Sequence, residues 1–376
     1  MPSCLSSSDL RASRYARAGL PETLEDLVAA GDAHVNDENL LKASLHNAPD
    51  HTYGMLGFRG FAGTLTAEEV ESLQEMNVVE YIEEDGRMHT TALVNQENAT
   101  WGLARISNRK PRSTIYTYDD SAGEGTCAYI IDTGIETTHP EFEGRATFLF
   151  DLSEDNNMID GLSHGTHTAG TVGSKTYGVA KKTKLFTVKV LDSYGDGYVS
   201  DIIAGFQYAA RHKQNNMAEC PKGSVANISL GGIRMKVIND AVAALVRAGV
   251  FVAVSAGNAG TYAEDFSPAS EPSVCTVGAV HSNDTIAWWS NFGELVDILA
   301  PGVEVTSTFL NGTTATYNGT SMAAPHVAGI GAYLLGLGND VSTLCELIQT
   351  MATVDVVQGL TNDTANLSAY NGWDTK

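Results

Sequence analysis

Four short strings place reactive side chains at the ends of apolar runs or at the starts of helices. Tyr129-Ile130-Ile131 ends in Asp132-Thr133-Gly134, and Phe251 to Val254 ends in Ser255-Ala256-Gly257-Asn258. His164-Gly165-Thr166-His167-Thr168-Ala169-Gly170 reads as a histidine on the first turn of a helix packed closely through glycines, and Gly319-Thr320-Ser321-Met322 opens an apolar helix. Together they offer a carboxylate, an imidazole, a hydroxyl and an amide, the inventory that acyl-bond hydrolysis requires. A serine hydroxyl is a poor nucleophile until an imidazole takes its proton, and the imidazole needs a carboxylate to hold its tautomer. The oxyanion formed on the substrate needs preorganised donors, which Asn258 and the Ser321 backbone N–H at a helix start could supply.

Taken singly, each string has a plainer reading. An Asp after a strand is commonly a cap or turn residue, and Met322 and Pro325 could simply begin a buried helix. His164 and His167 could ligate a metal, but no third ligand follows at zincin spacing. Gly123 to Ala128 matches GxGxxA, yet these glycines precede the strand, so a dinucleotide site fails its context. The chain order Asp132, His164, Ser321 is not the Ser, Asp or Glu, His order of the α/β-hydrolases, which argues against an esterase of that type.

The elements that must carry these residues are legible in the pattern. After Trp101, short apolar runs (Ala128 to Ile131, Leu185 to Leu191, Val225 to Leu230, Val250 to Val254, Val274 to Val280, Val296 to Leu299) alternate with helical stretches such as Ser200 to Lys213 and Val237 to Arg247. Runs without alternation are buried on both faces, so the chain reads as an α/β, doubly wound, mainly parallel sheet over about residues 100–372. Ligands of such sheets gather at the strands' carboxyl ends, where Asp132 and Asn258 lie.

The 376 residues, 43% hydrophobic, suffice for a large core. A formal charge of −22 disfavours a polyanionic partner, so nucleic acid is not expected. No apolar run reaches bilayer-spanning length, so no membrane insertion is expected. Residues 1–93 carry 6 basic and 16 acidic side chains against 17 and 29 in the remainder, which marks a separate acidic segment. Within it Thr66 and Glu69 have capping-box spacing, and Gly57 to Phe61, a helix over Thr64 to Leu73 and Val78 to Ile82 read as strand, helix, strand.

The order Asp132, His164, Ser321 within DTGIETTHPEFEGR, HGTHTAGTVG, SLGG, AGN and GTSMAAPHVAG resembles the subtilisin-like serine peptidases, whose triad order is already known. PEFEGR, YGVAKKTKLF, SPASEPSVCTVGA and WGLARIS are similar to the proteinase K-like branch, over about Thr100 to Gly372. The resemblance implies a secreted serine endopeptidase made as a zymogen, with Ser321 as nucleophile, His164 as general acid/base, Asp132 as its orienter and Asn258 as oxyanion donor. His167 is then packing. Ser229-Leu230-Gly231 and Gly195-Asp196-Gly197 match the two segments that grip an extended peptide, with Gly257 beside Asn258, and a broad preference for apolar or aromatic residues before the cut is implied. Protein and peptide substrates are the expected partners, and a monomer is expected.

Of the five cysteines Cys4 is isolated, and the four dispersed ones, Cys127, Cys220, Cys275 and Cys345, could on their own be core thiols. The resemblance implies Cys127 with Cys220 and Cys275 with Cys345, each bridge contributing roughly 2 to 4 kcal/mol. Thr168 stands where proteinase K carries a free cysteine. No cofactor is implied for catalysis. One structural Ca²⁺ is implied on the carbonyls of Pro272 and Val274 and the carboxylate of Asp297, whereas Arg109 occupies a position of the second family site.

The division implied is an acidic inhibitory propeptide over 1–93, with a recognisable core at 54–85, ahead of a peptidase domain over 94–376. The tail from Gly86 to about Leu93 would lie through the cleft, and self-cleavage is expected near residues 89–94. The usual first strand is not recognisable in residues 1–30. Met1 to Leu20 lacks the apolar core of a secretory signal, while paired cysteines form in oxidising compartments, so secretion is expected. Of the sequons at Asn98, Asn227, Asn283, Asn311, Asn318, Asn362 and Asn366, those at Asn227 and Asn318 are expected to be buried.

Overall fold

A computed structural model of the chain describes residues 13–14, 51–55, 58–76, 79, 81–82, 92–361 and 363–374. The chain divides into two units, Met1–Thr90 and Thr91–Lys376. Cys4, Asn362 and most of the expected inhibitory tail, from Gly86 to Thr91, lie outside the described residues.

In the first unit, β1 (Ser13–Arg14), β2 (His51–Met55) and β3 (Phe58–Ala62) form an antiparallel sheet of order β1-β3-β2, followed by α1 (Ala67–Gln74). The capping box is formed in full: Glu69 N–H donates to Thr66 Oγ1 at 3.2 Å, and Thr66 N–H to Glu69 Oε2 at 2.6 Å. One expectation needs correction: no strand forms at Val79, Tyr81 and Ile82. Val79 N–H instead closes a turn on the Met76 carbonyl, and Val79 and Ile82 pack on the small core of Phe61, Leu65 and Leu73. Apolar side chains next to a helix can be buried against it without pairing into a sheet.

The second unit contains, in order, β4 (Leu93–Gln96), α2 (Trp101–Ile106), β5 (Tyr116–Asp119), β6 (Cys127–Asp132), β7 (Ala146–Asp151), α3 (His164–Gly173), β8 (Lys184–Lys189), α4 (Val199–Asn215) and β9 (Ser224–Ile228). There follow β10 (Gly232–Ile233), α5 (Lys236–Arg247), β11 (Val250–Ser255), β12 (Phe266–Ser267), β13 (Cys275–Val280), β14 (Ile298–Pro301), β15 (Val305–Phe309) and β16 (Thr313–Tyr317). The chain continues with α6 (Thr320–Gly336), α7 (Leu344–Met351), β17 (Thr353–Val354) and β18 (Leu367–Ser368). Nine strands form one sheet of order β17-β18-β14-β13-β11-β9-β6-β8-β7, parallel except for the β17–β18 pair.

Both faces of that sheet are covered, as the unbroken apolar runs demand. Ala128, Ile130, Phe251 and Ala253 face a core shared with α3 and α6, whereas Tyr129, Ile131, Val252 and Val254 face one shared with α4 and α5. The strand order reverses between β6 and β9, the switch point where α/β sheets open a crevice. Asp132 ends one of these strands and Ser229 follows the other.

The disulfides pair as the resemblance implied, Cys127 with Cys220 and Cys275 with Cys345. Asn227 is fully buried, but Asn318 is exposed, contrary to expectation. The β15–β16 hairpin carries it to the surface, where its Oδ1 accepts the Glu304 N–H at 2.6 Å.

Two buried histidines are held in their neutral form by the fold. His167 donates from Nε2 to the carbonyls of Val305 and Ala315 at 3.1 and 3.2 Å and stacks on Tyr317, and His326 donates from Nδ1 to the Met322 carbonyl at 2.9 Å. Burial pushes both down to about 4. A lowered folded pKa means that their contribution is intact above the ordinary imidazole value and lost as pH falls through 4. Stability is therefore expected to fall between pH 6.5 and 4 by up to roughly 3 kcal/mol for each ring. Urea midpoints of the inhibited enzyme should show this, with a shallower pH slope in His167→Gln; equal slopes would contradict it.

Candidate active site

The turn after β6 and the start of α3 are held together by unusually close main-chain contact. A Cβ on Gly134, whose φ is +119°, would sit 3.0 Å from Asp160 Cα, and one on Gly165 would collide with the Gly134 carbonyl oxygen. Glycine at both positions lets the strand end and the helix start approach, bringing Asp132 to His164. Asp132 is fully buried. Its Oδ1 accepts from His164 Nδ1 and from the Thr133 N–H, both at 2.7 Å, and its Oδ2 accepts from Thr168 Oγ1 at 3.4 Å. The single Thr168 hydroxyl proton also has the Gly165 carbonyl as an acceptor, at 3.1 Å.

With Nδ1 donating to a carboxylate, the neutral imidazole presents its lone pair at Nε2. Burial alone would depress His164, but the charge and hydrogen bond of Asp132, with Asp160 behind, hold it above its ordinary value. The ring remains partly exposed and lines a cleft of about 470 Å³.

Gly195, Asp196, Gly197, Ser229, Leu230 and Gly231 line the same cleft. Leu191, Ile202, Ile233, Met235 and Ile238 give it an apolar wall. Gly195 to Gly197 lie in the loop between β8 and α4, outside any strand. Gly257 does not line this cleft; it sits against Asn291 with φ +103°, its N–H donating to Thr320 Oγ1 at 3.2 Å.

Ser321 is half-buried in the first turn of α6 and clasped by Ser229. Its Oγ donates to the Ser229 carbonyl at 3.2 Å, and its own carbonyl accepts from Ser229 Oγ at 2.9 Å. Among the hydrogen bonds of the described residues, none joins His164 Nε2 to Ser321 Oγ. Asn258 is aimed by its oxygen: Oδ1 accepts from Thr320 N–H at 2.9 Å and from Thr320 Oγ1 at 2.8 Å, which leaves Nδ2 free. A Cβ built on Gly319 would lie 3.5 Å from Ser321 N and 3.7 Å from Asn258 Nδ2. Those two donors therefore border one small space, and among the described residues neither has an acceptor.

Residue type and spacing did not single out Thr320, which donates to Asn258 Oδ1, or Asp160, whose carboxylate accepts from the Ser163 and Thr166 N–H groups. The only sequence signal at Asp160 is an acidic side chain just ahead of a helix start.

Asp297 is half-buried, with Oδ2 accepting from Thr276 N–H at 2.7 Å and Oδ1 from Gln349 Nε2 at 3.3 Å. Burial pushes it up to about 6, and among the described residues no Lys or Arg pairs with it. The sulfurs of Cys275 and Cys345 lie close by but are committed to their disulfide. Arg109 donates to the carbonyls of Met351 and Ala352 at 3.2 and 3.3 Å and lies over the Tyr370 ring.

Residues 123–376 match the model of the Subtilase family, and residues 22–91 match that of Peptidase inhibitor I9. A cuticle-degrading protease of Metarhizium anisopliae is 53% identical over 84% of this chain and 81% of its own length. Proteinase T of Parengyodontium album is 54% identical over 78% of this chain and 99% of its own. The crystal structure of a cold adapted subtilisin-like serine proteinase superposes with a TM-score of 0.68 at 38% identity, covering 73% of this chain and 99% of that one. The chain belongs to the subtilase family and is a serine endopeptidase of the proteinase K-like kind, made with an inhibitor I9 segment ahead of its catalytic unit.

Proposed function

We propose that Ser321 is the nucleophile, His164 the general acid/base, Asp132 its orienter, and Asn258 Nδ2 with the Ser321 N–H the oxyanion donors. What supports this most is the space beside Gly319, bordered by two unengaged donors at the helix start that carries a hydroxyl. The carbonyl oxygen of a bound peptide would enter that space. Ser321 Oγ would leave the Ser229 carbonyl for the imidazole and pass its proton to Nε2 as it attacks the carbonyl carbon. The imidazolium, stabilised by Asp132, would then protonate the departing amine, and water would release the acyl group by the same route. The apolar wall of the cleft favours apolar or aromatic side chains around the cut, with main-chain contacts at Gly195 to Gly197 and Ser229 to Gly231.

In this reading residues 1–93 are the propeptide and 94–376 the peptidase domain, acting as a monomer. The boundary falls one residue into β4, just after Leu93. The two disulfides suit an oxidising, extracellular setting. The test is N-terminal sequencing with fluorophosphonate labelling. Wild type should be shortened and labelled at Ser321, and Ser321→Ala should stay at 39.9 kDa and unlabelled. Processing of the Ser321→Ala chain by itself would refute the assignment.

The carbonyls of Pro272 and Val274 and the Asp297 carboxylate are hard-oxygen donors of the kind that would hold one structural Ca²⁺ in this reading. Among the described residues neither carbonyl accepts a hydrogen bond, and the carboxylate has no counter-charge, as such a site requires. The role of the ion would be stability. In chelated protein the raised Asp297 pKa makes the sign definite: the fold is least penalised below the ordinary carboxylate value and loses that advantage as pH rises through about 6. EDTA is therefore expected to lower the melting midpoint by about 5 °C or more at pH 8, by less at pH 5, and scarcely at all in Asp297→Asn. Equal midpoints with and without chelator at pH 8 would count against the site.

A further inference from the structure

We infer that Asp160 is a positioning residue for catalysis: its buried carboxylate ties the start of the His164 helix to the turn that follows Asp132, and so sets where the imidazole stands. The inference rests on the assignment of His164 as the general base.

Ser163, the residue before α3, is in the left-handed region and makes no side-chain cap of its own. A helix start without a cap leaves several N–H groups unpaired. Asp160, 5% exposed, supplies acceptors from outside the helix. Its Oδ1 accepts from the N–H groups of Leu162 and Ser163 at 3.1 and 2.8 Å, and its Oδ2 accepts from Thr166 N–H at 2.9 Å and Thr166 Oγ1 at 2.6 Å. The fifth bond crosses to the other element: Thr133 Oγ1 donates to Asp160 Oδ1 at 2.8 Å while accepting Gly165 N–H at 2.9 Å. Thr133 N–H, in turn, holds Asp132 Oδ1. One carboxylate thus brackets His164 on both sides in sequence, at Ser163 and Thr166, and reaches Asp132 through a single threonine.

Five bonds to a buried anion at the positive end of a helix are charge-assisted and short, and they leave the carboxylate little freedom. Among the described residues, the charged and titratable groups that face His164 are Asp132 from β6, Asp160 from the loop before α3, and His167 from its own helix. The Asp160 charge adds to that of Asp132 in favouring the imidazolium formed during turnover. A purely structural cap would affect folding; this one should also shift the titration of the base.

The test compares Asp160→Asn, Thr133→Val and Thr133→Ser in the full-length chain, matured and titrated with a fluorophosphonate, on one peptide substrate. Asp160→Asn is expected to lower kcat about 10-fold with little change in KM, and to move the acid limb of kcat/KM down by about half a pH unit. Thr133→Val should lower kcat with the limb in place, and Thr133→Ser should recover it. An Asp160→Asn enzyme with wild-type kcat and acid limb overturns the proposal. If that variant does not fold, the threonine pair decides: recovery by Ser but not Val supports it, and equal kcat in the two overturns it. A wild type unlabelled at Ser321 would overturn the underlying assignment as well.

Discussion

Exchanging His164 for Ala is expected to lower kcat by about 10⁶-fold at nearly constant KM, the size of loss known for the corresponding exchange in subtilisin itself. The reason lies in the hydrogen-bond directions. Nδ1 is committed to Asp132 at 2.7 Å, so Nε2 is the ring's available base, and among the described residues Ser321 Oγ otherwise has only the Ser229 carbonyl, which cannot activate it. In the proposed reading the peptide main chain is held along Gly195 to Gly197 and Ser229 to Gly231, away from the ring, which is why binding should survive. Because Asp132 and Asp160 hold the imidazole above its ordinary value against the effect of burial, the acid limb of the wild-type profile should lie above pH 6.5, with activity rising as the base becomes neutral. Steady-state kinetics checks both statements, with the inactive variants matured by added wild-type enzyme, repurified and quantified by absorbance. A His164→Ala enzyme within 100-fold of wild type would mean that another base serves Ser321. The His164→Ala, Ser321→Ala double variant should be no worse than either single one, since the pair acts as a unit.

The second large effect is at Asn258. Replacement by Leu, which keeps the approximate volume and removes the amide, should lower kcat by roughly 10² to 10³ with KM almost unchanged, as loss of one oxyanion donor does in subtilisin. Asn258 spends its oxygen on Thr320 and keeps its NH₂ for the space beside Gly319. Thr320→Val removes the hydroxyl but not the N–H, so the amide keeps one of its two anchors and the loss should be smaller. If Asn258→Leu instead raises KM and spares kcat, the amide binds the ground state and the oxyanion assignment fails. Kinetics on a single chromogenic peptide distinguishes the two outcomes.

Much of this architecture is written in local pattern. The unbroken runs from Ala128 to Ile131 and from Val250 to Val254 specify strands covered on both faces, because any polar side chain there would have to be buried. Thr66 and Glu69 specify a helix start, because three residues of spacing let each side chain reach the other's backbone. The order and flanks of Asp132, His164 and Ser321 were enough to recognise the reactive inventory and its family.

Other features depend on which distant segment arrives where. Asp160 gains its importance from Thr133, which lies 27 positions away in the chain. Asn258 is oriented by Thr320 across 62 positions. Asn318 is exposed although it adjoins buried Gly319, and Val79 and Ile82 are half-buried without forming a strand. Periodicity and residue type report how a segment meets water and its own backbone, so they settle element type and burial. Hydrogen-bond direction, by contrast, is fixed only once packed elements have brought a donor within about 3 Å of an acceptor, and that closeness is a property of the folded chain.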